Sequence, residues 1–284
     1  MSSSAAQMES GTAKSGGGAA APKSKKNLYI GLILVASCIA GGLAGGLSKP
    51  IVIGTWKDNW GGYTTVTSTH WYSKSQWGAS VYTIRSISNS RAIMQNDPDT
   101  LYCPSLWTKS QYHAAEDGVA VCYILFDGET AAVARDTDTS GFYDSSDETG
   151  GCNGYPFTHF TAYAMPIAGK WADNWGGKHE ITATEWIKTS SADPPVSVSY
   201  PIEAYGGNFI LYQNPADDEY NPSKWVLTEF HMIGNDFGYC MSVFNGATAA
   251  AALGGGGLAA GYNASDATGG CNGFGHSIAS PVAA

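Results

Sequence analysis

Charge is scarce in this chain of 284 residues: 14% of it is Asp, Glu, Lys or Arg, and bases are outnumbered 15 to 24. The first 48 residues hold four of the bases (Lys14, Lys23, Lys25, Lys26) and one acid (Glu9), which leaves 11 bases and 23 acids, a net −12, for the rest. Such a surface has too little positive charge to displace counterions from a phosphate backbone, so nucleic acid is excluded as a partner, and cations or cationic partners fit better. Catalytic motifs are missing too. The chain has no Gly-x-Ser-x-Gly elbow, no His-Glu-x-x-His, no Cys-x-x-Cys and no phosphate-cradling loop before a helix, and its six histidines are scattered.

Present instead are 36 glycines, 9 tryptophans and 12% aromatic residues, a composition of short strands and tight turns that predicts an all-β fold. One long apolar run stands out. Residues 1–26 are rich in Ser, Gly, Ala and Lys and read as a disordered cytoplasmic tail, and from Leu28 to Leu47 no residue is charged. Residues 27–48 are therefore expected to be a transmembrane anchor, a helix spanning the bilayer once. Lys23, Lys25 and Lys26 ahead of it place the tail inside and the remainder on the exported side, extracellular, periplasmic or lumenal. A cleaved signal and a lipobox ending at Cys38 (Val35-Ala36-Ser37-Cys38) are rival readings of the same stretch.

The exported part is a duplication. Gly54-Thr55-Trp56-Lys57-Asp58-Asn59-Trp60-Gly61-Gly62 returns 115 residues later as Gly169-Lys170-Trp171-Ala172-Asp173-Asn174-Trp175-Gly176-Gly177. The correspondence runs on through Trp71 and Trp186, Gln95-Asn96 and Gln213-Asn214, His113 and His231, and Cys122 and Cys240. It closes with Thr149-Gly150-Gly151-Cys152-Asn153-Gly154 against Thr268-Gly269-Gly270-Cys271-Asn272-Gly273. Two tandem small antiparallel β-barrel or β-sandwich domains are expected, over residues 51–160 and 166–280. Each should be a meander of roughly five to seven strands, joined by a short linker around Thr161 to Pro166. Ala-rich helical turns are expected at Glu129 to Arg135 and Ala247 to Leu253, and Pro201 suggests that the strand from Val196 to Ile202 is an edge. Pairing Cys122 with Cys152 and Cys240 with Cys271 is the simplest of three connectivities and implies an oxidising compartment; Cys103, opposite Asn221, is a free thiol or an intermolecular crosslink.

The Gly-x-Trp openings, with Asp58, Gly61, Val66 and Thr67 in the first copy and Ile181-Thr182 in the second, resemble the first strand of the avidin and lipocalin (calycin) barrels. In those barrels this Trp plugs one end. The wider pattern, Gly-x-Trp-x-Asp, Gln-Asn, Tyr-x-Pro-x-x-Trp and Thr-Gly-Gly-Cys-x-Gly, resembles a group of uncharacterised secreted or lipoprotein β-domains, so the resemblance implies architecture rather than activity.

Four tryptophans, Trp56, Trp71, Trp171 and Trp186, read as core. Trp60, Trp77, Trp107 and Trp175 lie near Gly, Pro or Asn, where loops present rings to sugars or proteins, and are candidate ligand-binding residues. Asp58 and Asp173 beside them are further candidates, or hairpin caps. His113 and His231 are either functional or satisfied by a neighbour. Asp136, Asp138, Ser140, Asp144 and Asp147 carry oxygen at positions 1, 3, 5, 9 and 12 of a loop with Gly141 at position 6, the spacing that wraps calcium. The expected function is a membrane-anchored, non-enzymatic module that binds or assembles with a protein or glycan. A calycin-like carrier of a small apolar ligand and an unrecognised hydrolase are the alternatives; an open barrel interior would mark the carrier, and a His or carboxylate pair converging in a cleft the hydrolase.

Overall fold

The computed structural model describes residues 49–255 and 262–282. The tail, the predicted anchor at residues 27–48 and the lipobox at Cys38 lie outside them; among the described residues no helix is long and apolar enough to cross a membrane.

Each copy is a closed antiparallel barrel of eight strands. The first comprises β1 (Gly54–Asp58), β2 (Tyr63–Val66), β3 (His70–Ser75), β4 (Gly78–Ile87), β5 (Arg91–Asn96), β6 (Trp107–Ala115), β7 (Gly118–Gly128) and β8 (Thr158–Ala162), with helix α1 (Ala131–Asp136) after β7. The second repeats this as β9 (Gly169–Asp173), β10 (Lys178–Ile181), β11 (Glu185–Thr189), β12 (Ser197–Gly206), β13 (Phe209–Gln213), β14 (Trp225–Ile233), β15 (Asp236–Gly246) and β16 (Ser277–Pro281), with α2 (Ala249–Gly255) after β15. Strands pair in sequence order, and the last returns to the first: Trp56 faces Ala162 and Asp173 faces Ala279. Eight strands replace the five to seven expected, because β2 and β10 have only four residues and β8 and β16 follow the long cystine loops. The edge reading of Pro201 holds locally: within the closed barrel, Ser197–Pro201 pair with β11, but the β12–β13 ladder begins only at Ile202, so the missing donor of Pro201 faces no β13 partner.

Both interiors are filled by side chains. Trp71, Met94 and Tyr112 in the first barrel and Trp186, Ile210 and Phe237 in the second are fully buried. At one end, where the turns are short, the opening tryptophans are anchored by the chain that precedes them: Trp56 Nε1 donates to Val52 O at 2.7 Å and Trp171 Nε1 to Ile167 O at 3.0 Å. The connection between β8 and β9 thus begins after Ala162, later than expected, and sends Met165 and Ile167 into the core of the second barrel.

The barrels are packed together rather than strung. Tyr72 and Val81 on the outside of the first meet Ala204, Phe209, Leu211 and Leu227 of the second, with Leu253 of α2 between them. Thr65 bridges to the second barrel twice, donating to Tyr205 O and accepting from Tyr205 N. Tyr63 lies so close to Gly206 and Gly207 that a β-carbon there would fall 2.3 Å from its Cβ and 2.6 Å from its Cε2, so only glycine permits the approach.

Both predicted cystines are present, Cys122–Cys152 and Cys240–Cys271, each with its Cα atoms 5.4 Å apart, while Cys103 is free and partly buried. The Thr-Gly-Gly-Cys signature has a local cause. Asp147 Oδ1 accepts from Thr149 N, Thr149 Oγ1 and Gly150 N, and Asp266 does the same with Thr268 and Gly269. The second glycine, Gly151 or Gly270, lies against carbonyl oxygens where a side chain would collide.

Candidate functional site

The long connections all emerge at the end of each barrel opposite the anchored tryptophan: residues 97–106 and 129–157 in the first copy, 214–224 and 247–276 in the second. At this loop end aromatic rings face solvent at matching positions. Trp60 and Trp175 tip the first hairpin of each copy, and Tyr102 and Tyr220 lie in the connections β5–β6 and β13–β14. Phe126 and Phe244 stand near the ends of β7 and β15, and Tyr155 and Phe274 just after the second cysteines. Their exposure runs from 50% for Phe126 and Phe244 to 81% for Tyr220. Burial does not account for rings so exposed, yet each position is aromatic in both copies.

The same loops are acidic. Those of the first copy hold eight acids against the single base Arg135, and those of the second four against Lys224. The turns at the opposite ends carry only Glu116 and Asp117. Ring faces with neighbouring carboxylates attract cationic groups, each such contact contributing about 0.5–1 kcal/mol when exposed.

Of the predicted ligand-binding residues, Trp60 and Trp175 belong to this rim. Trp77 is exposed at the β3–β4 turn, but the second copy has a longer, Pro-containing connection there. Trp107 is no loop ring; it starts β6, half-buried and paired with Gln95 and Gly128. Asp58 and Asp173 are hairpin caps: Oδ1 of each accepts from the backbone amides of residues two and four further on, Trp60 and Gly62 or Trp175 and Gly177. Sequence reasoning missed the tyrosines and phenylalanines of the rim, although aligning the copies and asking which aromatic positions coincide would have found them.

The five residues of the proposed calcium loop act separately. Asp136 pairs with Arg135, Asp138 accepts from Ser140 N and Oγ, Asp144 accepts from Ser146, and Asp147 caps its own turn. Among the described residues no group of three or more His, Cys, Asp or Glu is placed to hold a metal ion. The duplicated histidines are tethers: His113 Nδ1 lies 2.8 Å from Tyr143 Oη and His231 Nδ1 3.0 Å from Tyr262 Oη, fastening each cystine loop to β6 or β14. In the first copy Glu148 also bridges His113 and His159, at 3.2 Å each.

A His–Asp pair that the sequence did not announce lies inside the second barrel. Trp186 Nε1 donates to His179 Nδ1 at 3.1 Å, which leaves the ring proton on Nε2 to donate to Asp173 Oδ2 at 2.9 Å; Tyr239 Oη donates to the same oxygen at 3.2 Å. Burial lowers the pKa of His179, with Asp173 opposing the shift. Burial alone would raise Asp173, but hydrogen bonds from His179, Gly177 and Trp175 outweigh it and hold the carboxyl below its usual range. With side chains 4% and 8% exposed and Nδ1 occupied by an indole, the pair cannot reach a substrate and acts as a polar plug. Nearby, Lys188 Nζ lies 4.1 Å from the Trp186 ring centroid and 4.9 Å from that of Tyr200, occupying the mouth from within.

Compared with known proteins, the chain matches no family model, and neither a curated protein nor a solved structure is significantly similar to it.

Proposed function

We propose that the chain is a membrane-anchored, exported, non-enzymatic binding module that holds a protein partner through the aromatic loop ends of its two barrels, the bound surface of the partner being basic. The observation that carries this reading is the coincidence of four exposed aromatic positions in both copies. Two disulfides fit an oxidising compartment, as export would require. Filled interiors leave a carrier without a chamber, and the one His–Asp pair described is buried in a barrel rather than set in a cleft, which counts against a hydrolase. A protein is favoured over a glycan because the rings are spread around a rim of acidic loops, an arrangement suited to a broad basic surface.

The test titrates the full chain with a twelve-residue Lys/Arg-rich peptide, an acidic peptide of equal length and neutral oligosaccharides. The basic peptide is expected to bind, to weaken as salt rises, and to lose at least tenfold in affinity when Trp60 and Trp175 are both changed to Ala. Equal binding of the acidic peptide, or ring-dependent binding of the sugars alone, contradicts the proposal.

A further inference from the structure

Asn263-Ala264-Ser265 is the one Asn-x-Ser/Thr tripeptide of the chain with a residue other than proline in the middle; Asn221-Pro222-Ser223 is barred by its proline. It lies on the second cystine loop ahead of Cys271, and all three of its residues are exposed. Asn263 Oδ1 accepts from Ser265 N at 3.1 Å and from Ser265 Oγ at 2.7 Å. The first copy makes the same turn with a carboxylate: Asp144 Oδ1 accepts from Ser146 N at 2.9 Å and from Ser146 Oγ at 2.6 Å. The backbone coincides as well, Asn263 N donating to Gly270 O at 2.7 Å and Asp144 N to Gly151 O at 2.8 Å. The turn therefore requires one oxygen of this side chain, and it makes no use of the amide nitrogen that the second copy alone carries there.

We infer that Asn263 is an N-glycosylation site, an inference that rests on the export proposed above. Nδ2 takes an oligosaccharide from a polyprenyl diphosphate donor in the secretory compartment. The bond from Nδ2 to sugar C1 forms, the C1–O bond to the diphosphate breaks with its electron pair leaving on the diphosphate, and Nδ2 gives up one proton to the transferase. Two features of the fold suit the reaction. An exposed turn outside the barrel stays within reach after the strands have closed, and Oδ1 keeps both of its donors from Ser265 when Nδ2 is substituted. Asn263 also borders the cleft between the barrels, together with Tyr63 and Lys74 of the first and Phe209 of the second, so the glycan stands over the join.

Expression of the full chain in cultured eukaryotic cells tests this inference. In isolated membranes the barrels are expected to be protected from added protease and to carry one glycan, removed by peptide N-glycosidase and mapped to Asn263 by mass spectrometry. Asn263→Asp keeps the oxygen that serves the first copy, so it should abolish the glycan with an unchanged far-ultraviolet circular dichroism spectrum, and Ser265→Ala should abolish it too. Asp144→Asn gives the first copy the same tripeptide pattern and is expected to add a second glycan. A protected chain without a glycan at Asn263, a glycan that persists in Asn263→Asp, or modification of the Asp144→Asn variant in its first copy alone overturns the inference. A chain that is both digested by the protease and free of glycan overturns the export reading with it.

Discussion

The two copies share a barrel, a cystine and a rim, and they diverge where they meet. Tyr63 and Tyr72 of the first copy face its neighbour, whereas Lys178 and Ile187 hold those places in the second. The helices differ in the same way. Arg135 ends α1 in solvent, paired with Asp136, but its counterpart Leu253 in α2 is fully buried between the barrels. The turn Ser88-Asn89 is open to solvent in the first copy, and Gly206-Gly207 replaces it in the second, where Tyr63 presses on the backbone. Divergence in a duplicated protein therefore maps the join, and coincidence without a packing reason maps the surface offered to partners.

The sharpest way to break this comparison is to exchange residues across it. Leu253→Arg should cost about 3–5 kcal/mol in urea unfolding, because it buries an unpaired charge, whereas Arg135→Leu should stay within about 0.5 kcal/mol. Equal effects would mean that the barrels do not bury α2 between them. The cystines should instead behave alike. Removing Cys240–Cys271 or Cys122–Cys152 by double Ala substitution should cost about 3–4 kcal/mol in either copy, since separations of 31 and 30 residues constrain the unfolded chain equally.

A smaller asymmetry lies inside the barrels. Trp186→Phe should destabilise by about 1–3 kcal/mol more than Trp71→Phe, because it leaves buried His179 Nδ1 without its donor, whereas the polar neighbour of the Trp71 indole is the hydroxyl of Tyr123, which makes a weaker contact. The smallest effect is that of pH. Burial lowers the pKa of His70, His179 and His231, so the folded form of each binds protons more weakly than the unfolded chain. Their contribution is complete above the unfolded value of about 6.5 and declines as pH falls below it, so the melting temperature should drop between pH 7.5 and 5. Replacing His179 and His231 by Gln should flatten that decline in thermal scans.

Features set by neighbours in the chain could be read without coordinates. The duplication, the cystine pairing, the helical turns and the caps at Asp58 and Asp173 all depend on residues within a hairpin or on spacing repeated in both copies. The strand count was harder, because four residues such as Tyr63–Val66 carry too little alternation to register as a strand. The join was invisible for a different reason. Phe209–Tyr212 is apolar at every position because alternate side chains enter the barrel and the neighbouring copy, and nothing local says which surface covers the outward pair. The calcium spacing misled because its carboxylates have nearer donors: Asp138, Asp144 and Asp147 accept from residues two further on, and Asp136 pairs with Arg135. Among the rim residues only Trp60 and Trp175 were legible, since tryptophan is rare enough to draw notice while Tyr102, Tyr155 and their counterparts are not.

The claim that coincident exposed rings form the working surface is tested most directly by one variant, Trp60→Ala, Tyr102→Ala, Trp175→Ala and Tyr220→Ala combined. Two readouts apply: urea unfolding, and titration with the Lys/Arg-rich peptide. The account predicts unfolding changed by no more than about 0.5 kcal/mol per site, together with a loss of at least tenfold in peptide affinity. A variant that unfolds early but binds the peptide as well as the wild type would contradict it.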